Sequence, residues 1–188
     1  LAEVTLSIPG KHNILNSLAC AAACICVGAD PKVVAEKIAH FPGAGRRFEI
    51  LGEVGGVTIA DDYAHHPAEV KATLKAAKEM DFHEVWAVFQ PFTYSRTAML
   101  LDDFVDALSV ADHVVMSEIM GSREKNTYNI YTKDLAAKIP GSVWFNTFRE
   151  MADYTLAHAK PGDLVITLGC GDVYKCAYIM VGRPANGV

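Results

Sequence analysis

The sequence has no apolar run approaching the roughly 20 residues that span a bilayer, and no charged leader ahead of a short apolar core. Neither membrane insertion nor a cleaved signal is expected, and the cytoplasm follows as the default compartment. Basic charge is also in short supply: 17 Lys and Arg stand against 22 Asp and Glu, a net charge of −5 with the histidines neutral. Such a chain offers no positive field to a phosphate backbone, so nucleic acid is not an expected partner. No tract rich in Pro, Ser or Gly and no block of like charge interrupts the 188 residues, which argues against disorder. With 51% hydrophobic residues the chain can bury one sizeable core, and one main domain is expected.

Cysteine is sparse and poorly placed for zinc. The five cysteines are an odd number; Cys24 and Cys26 form C-x-C, but Cys170 and Cys176 lack the paired spacing of a zinc site. Cys20, Cys24 and Cys26 fall in an alanine-rich run expected to form a buried helix, and free thiols in a reducing compartment are the simplest reading. Nucleotide fingerprints are missing too. The stretch PGKHN lacks the leading glycine of a phosphate loop, since Thr5 stands five residues before Gly10, and GCGD at 169–172 has neither phosphate-loop nor dinucleotide spacing. Local motifs therefore do not announce ATP.

What is present is a regular alternation. Residues 4–8 are expected as a short strand, with a turn at Pro9 and Gly10 and a helix that stops at Gly28. Asp30 before Pro31 caps a second helix with Val33, Val34, Ile38 and Phe41 on its apolar side. PGAGRR at 42–47 then marks a hinge or boundary. Beyond it, two extended runs flank Gly55 and Gly56 as a hairpin, and helical periodicity follows from Pro67 to Met80. Strands EVWAVFQ, HVVMSEI, SVWF and DLVITLG alternate with helices at 96–110, 132–138, 147–158 and from Asp172. The fold class expected is α/β: a Rossmann-like, mostly parallel sheet with helices on both faces and an initial hairpin.

In such a sheet the ligand lies beyond the carboxyl ends of the strands. Those ends carry DDYAHHP, QPFTYSR, SEIMGSRE and GCGD. Asp61 to Pro67 packs two carboxylates, a phenol and two imidazoles into seven residues. Asp61, Asp62, His65 and His66 are chemically able to hold a divalent metal, as a metal-dependent hydrolase would require, yet successive strand residues point to opposite faces. A plainer alternative has Asp61 or Asp62 as a helix cap with His65 beside it. Arg96 is either a first-turn surface residue or, beside Thr93, Tyr94 and Ser95, a bidentate partner for a carboxylate or phosphate.

Taken together, PGKHNILNSLACAAA, FPGAGRRFEILGE, ADDYAHHPAEVKATL, VFQPFTYSRT and GCGD resemble, in order and spacing, the Mur ligases of peptidoglycan synthesis. The resemblance covers essentially the whole chain, and D-D-Y-A-H-H-P-x-E is its most specific element. It implies three domains, of which residues 1–40 resemble the tail of the central ATP-binding one and residues 41–188 the carboxy-terminal one; the abrupt start at Leu1 and the missing phosphate loop fit that reading. The implied small-molecule substrates are ATP with Mg²⁺, UDP-N-acetylmuramate and L-alanine, the Mg²⁺ held mostly outside this chain. His12, Asn13 and Asn16 would lie at the adenine end, Arg46 and Arg47 would reach the phosphates, and Asp62 would receive the ribose hydroxyls. Tyr63, His65 and Arg96 would hold the amino acid, His65 as positioning group or base. Phe92 and Thr93 replace a His or His-Arg found in many relatives, and Cys170 an alanine. A tripeptide-recycling ligase of the same family and a non-catalytic nucleotide-binding module are the remaining alternatives.

Overall fold

Periodicity and punctuation resolve into fourteen elements. In the computed structural model, which describes residues 3–8 and 10–184, they run α1 (Lys11–Cys26), α2 (Pro31–Ala39), β1 (Glu49–Val54), β2 (Val57–Asp62), α3 (Pro67–Lys78), β3 (Val85–Phe89) and α4 (Tyr94–Met99). Then follow α5 (Leu101–Leu108), β4 (His113–Ser117), α6 (Thr132–Ala136), β5 (Val143–Phe145), α7 (Phe148–His158), β6 (Leu164–Leu168) and α8 (Tyr174–Met180). One six-stranded sheet has the order β1-β2-β6-β3-β4-β5. Only β1 and β2 are antiparallel; Gly55 and Gly56, both at positive φ, make the two-residue turn that Val54 and Val57 close. All other pairings are parallel.

The centre of the sheet is buried on both faces, since every residue of β3 and β6 is buried, while the outer strands β1 and β5 are largely uncovered. Along β3, Val85, Ala87 and Phe89 enter the layer under α3 and α5 with Leu74, Phe104 and Leu108, while Trp86 and Val88 join Met151, Cys176 and Met180 beneath α7 and α8. The same parity runs through β2. Ala60 belongs to the first layer and Ile59 to the second, so Asp61 and Asp62 at its end leave on opposite faces.

Four expectations are corrected. Residues 3–8 are not a strand, since no described strand lies alongside to complete a ladder, and Pro9 lies outside the described residues. The alanine-rich helix α1 buries none of its residues: Cys20 and Cys26 are exposed and Leu15 and Leu18 are 69% and 61% exposed, because within this chain α1 packs mainly on α2. On α2 only Val34 is buried; Val33 and Phe41 are half exposed. The helix expected at 96–110 is two helices broken at Leu100 (φ −115°, ψ 25°). The break lets α5 turn Phe104, Ala107 and Leu108 onto the sheet while α4 keeps Arg96 at the end of β3.

Candidate functional site

The carboxyl ends of β2, β6, β3 and β4 meet along one rim, and hydrogen bonds tie their loops together. Arg46, on the hinge just before β1, reaches across this rim. Its Nε donates to Asp61 Oδ2 and its Nη2 to the Gly169 carbonyl, both at 2.8 Å, and its guanidinium lies 5.0 and 4.7 Å from the rings of Tyr63 and Tyr174. Thr167 Oγ1 donates to Asp61 Oδ1 at 2.6 Å. Burial pushes the Asp61 carboxyl above the usual carboxylate range, against the pull of Arg46 and Thr167. Asp62 binds the turn from the other face: Phe48 N and Ala64 N donate to its two oxygens at 2.8 and 2.7 Å. Burial raises its pKa as well, opposed by those two amides and by Arg47.

These contacts separate the four residues of the expected hydrolase set. Asp61 serves Arg46 and Thr167, and Asp62 serves two amides. His66 is the N-cap of α3, accepting from Ala68 N, and Glu69 completes the capping box by accepting from His66 N. The helix cap expected at Asp61 or Asp62 thus falls to His66. His65 Nδ1 lies 3.0 Å from the Tyr63 carbonyl and 3.3 Å from Glu69 Oε2. Both neighbours are acceptors, so in the neutral ring the proton belongs on Nδ1 and the Nε2 lone pair is the one left for whatever enters the rim.

Arg96 stands on α4 at the end of β3. Its Nη1 is buried and has no hydrogen-bond partner, while the guanidinium lies 6.0 Å from the Phe92 ring. A buried donor left unsatisfied is costly, and a guanidinium so placed suits an incoming carboxylate. Its helix is held by Glu124, which accepts from Ser95 N at 2.8 Å and Ser95 Oγ at 2.6 Å. The rim closes with GCGD. Gln90 Oε1 accepts from Asp172 N, and Cys170 lies in the fields of Arg96, Arg46 and Glu69, burial keeping its thiol pKa raised. Glu124, Gln90 and Thr167 were not picked out individually from sequence, although Glu124 and Gln90 lie in the strand-end stretches SEIMGSRE and QPFTYSR.

A cavity of about 990 Å³ opens between α1, α2 and α3 and reaches the rim. His12, Asn13, Asn16, Arg47 and Asp62 all line it, five of the six residues expected around a nucleotide. Arg46 instead lies within the rim's internal network, and Arg47 is the arginine on the cavity wall, 5.3 Å from the Tyr63 ring. Asn16 Nδ2 donates to Asn13 Oδ1 at 3.3 Å on the exposed helix α1.

Fold and rim together define a doubly wound α/β domain whose polar side chains gather at the strand ends, fronted by two helices that help wall a cavity. Residues 46–171 match the family described as Mur ligase, glutamate ligase domain, and the chain belongs to that family. It is 42% identical over 97% of its length to the UDP-N-acetylmuramate–L-alanine ligase of Alkaliphilus metalliredigens, of which it covers 40%. Among solved structures it is similar to the UDP-N-acetylmuramate-alanine ligase of Thermotoga maritima (TM-score 0.80, 27% identity, 97% of this chain and 40% of that one). It is also similar to a murein peptide ligase of Psychrobacter arcticus (TM-score 0.68, 25% identity, 98% and 39%). The chain thus spans about 40% of the length of these relatives.

Proposed function

We propose that the chain is the carboxy-terminal part of an ATP-dependent ligase that joins L-alanine to UDP-N-acetylmuramate in the cytoplasm, with residues 1–40 belonging to the central ATP-binding domain and 41–188 forming the closing domain. The observation that carries this reading is the buried, unpartnered Nη1 of Arg96 at the strand-end rim, a donor suited to the carboxylate of a small amino acid. In this reading Tyr63 and His65 flank the amine, and His65 Nε2 accepts its proton. Arg47 faces the phosphates, Asp62 the ribose hydroxyls, and His12, Asn13 and Asn16 the adenine side. Arg46 acts beneath them by fixing Asp61 and the glycine turn.

The cavity has room for a nucleotide, and its largely apolar wall carries Lys37, Arg47, Asp62, Glu69 and the amides of Asn13 and Asn16. Mg²⁺, which supplies charge neutralisation during phosphoryl transfer, is placed with the part of the relatives that this chain does not span. The sugar carboxylate displaces ADP from the γ-phosphoryl group, and the amine then displaces phosphate from the acyl carbon, losing a proton as the amide forms.

The test is acceptor preference in the full-length protein. L-alanine is expected to support ligation and tripeptide not, the ordering favoured by Tyr63 and QPFTYSRT; preference for tripeptide would transfer the chain to the recycling ligase. Arg96→Ala is expected to raise the L-alanine KM at least about 10-fold with a smaller change for ATP, and Arg96→Lys to restore little of it. An unchanged KM would remove Arg96 from the amino-acid pocket.

A further inference from the structure

The opposite edge of the sheet, where the parallel strands begin, holds a second cluster of polar side chains that the proposed ligase chemistry does not use. Here the structure assigns a binding site for a divalent transition metal, zinc in the first instance, to His83, Glu84, His113 and Asp163. One nitrogen of His83 and one oxygen each of Glu84 and Asp163 lie within 4.8 Å of one another. His83 Nδ1 is 3.1 Å from Asp163 Oδ1, and His113 Nε2 is 3.1 Å from Glu84 Oε2. A tetrahedral zinc ion with bonds of roughly 2.0–2.1 Å holds its ligands about 3.3 Å apart. Both pairs therefore already stand at the length of a tetrahedron's edge. His113 stands outside the group of three and joins it through Glu84, so closing the set calls for movement of Glu84, which is half-buried, and of His83, which is exposed.

The ligands are also oriented from behind, as metal ligands usually are. Asp163 is fully buried, and its Oδ2 accepts from Trp86 Nε1 at 3.1 Å and Lys160 N at 2.8 Å, which leaves Oδ1 turned to His83. The His113 ring stacks on Trp86 with centroids 3.9 Å apart and an interplanar angle of 21°. Two imidazoles and two carboxylates suit zinc or cobalt, whereas magnesium and calcium prefer an all-oxygen set. An ion here would tie together the starts of β3, β4 and β6, three neighbours in the sheet, and would act on stability at a distance from the rim.

The experiment is thermal unfolding of the chelator-stripped 188-residue chain with zinc, magnesium or no metal. Zinc near 100 times its Kd is expected to raise the Tm by about 5–10 °C, and magnesium to leave it unchanged. His83→Ala and Glu84→Ala are expected to lose the zinc shift, each measured against its own metal-free Tm, which the loss of the His83 partner of Asp163 lowers in the first variant. Cobalt in the wild-type chain is expected to give the visible bands of tetrahedral nitrogen and oxygen coordination. No zinc shift, a shift that survives His83→Ala, or thiolate-to-cobalt charge-transfer bands pointing to Cys20, Cys24 or Cys26 would each overturn the assignment.

Discussion

Arg46 shows how one residue can be prominent in a sequence and still have its role set by its surroundings. Next to Arg47 in GRR, it is the residue that the family resemblance would place with Arg47 at the phosphates; folded, its guanidinium is divided between Asp61 and the Gly169 carbonyl, and two tyrosine rings lie beside it. The Arg46 side chain is 26% exposed and that of Asp61 only 2%. Removing the arginine strands a buried carboxylate, so Arg46→Ala is expected to cost about 2–4 kcal/mol in urea unfolding. Since Asp61 then has only Thr167 beside it, Arg46→Ala with Asp61→Ala should cost clearly less than the two single losses added together. Strict additivity would show that the pair is not coupled. Arg47 touches none of this network through a hydrogen bond, which is why it, and not its neighbour, remains available at the cavity.

At the level of elements, close approach decides what the loops tolerate. GCGD crosses the end of β3, and a Cβ at Gly171 would come within 2.4 Å of Gln90 Oε1 and 2.6 Å of Met120 Sδ. Gln90 Oε1 is already held by Asp172 N, and Met120 is paired with Pro91 and Thr93 through its backbone. Gln90 must give up that bond to make room, and the flexible Met120 side chain must swing aside. Gly171→Ala is therefore expected to destabilise the domain by about 1–3 kcal/mol, read from the midpoint of denaturant unfolding, and to perturb the loop carrying Arg96. A variant as stable as the wild type would mean that the rim repacks freely. The split of the 96–110 helix is a second effect at this scale. Its sequence reads as one amphipathic run, and the break at Leu100 follows from two separate demands, a core layer for Phe104 and a strand-end position for Arg96.

Across the molecule, carboxylates at the rim respond to pH in opposite directions, the exposed Glu69 one way and the buried Asp61 and Asp62 the other. For Glu69, burial raises the pKa, but the amides of His65 and His66 together with the His65 and Arg47 charges outweigh it and leave the group below its ordinary 4.5. Its contribution is fully present above that value and is lost as pH falls through the lowered one. Asp61 and Asp62 are raised above the usual 3.8, so their burial opposes folding once they ionise, and acidification relieves that cost. Glu69→Gln is accordingly expected to lower the Tm at neutral pH and to flatten its fall between about pH 5 and 3. An unchanged acid slope would assign the acid response to other groups. The α/β class, the hairpin at Gly55 and Gly56, the strand positions from Glu49 onward and the rim stretches were legible in the sequence, because apolar periodicity and glycine conformations are local properties; the strand expected at residues 4–8 did not form. The fates of α1, Arg46 and His66, the break at Leu100, and the supporting roles of Gln90, Glu124 and Thr167 were not. Each depends on which groups the crossovers bring within hydrogen-bonding distance, and contacts between residues more than a hundred positions apart, such as Asp61 with Thr167, exist only once the sheet has closed.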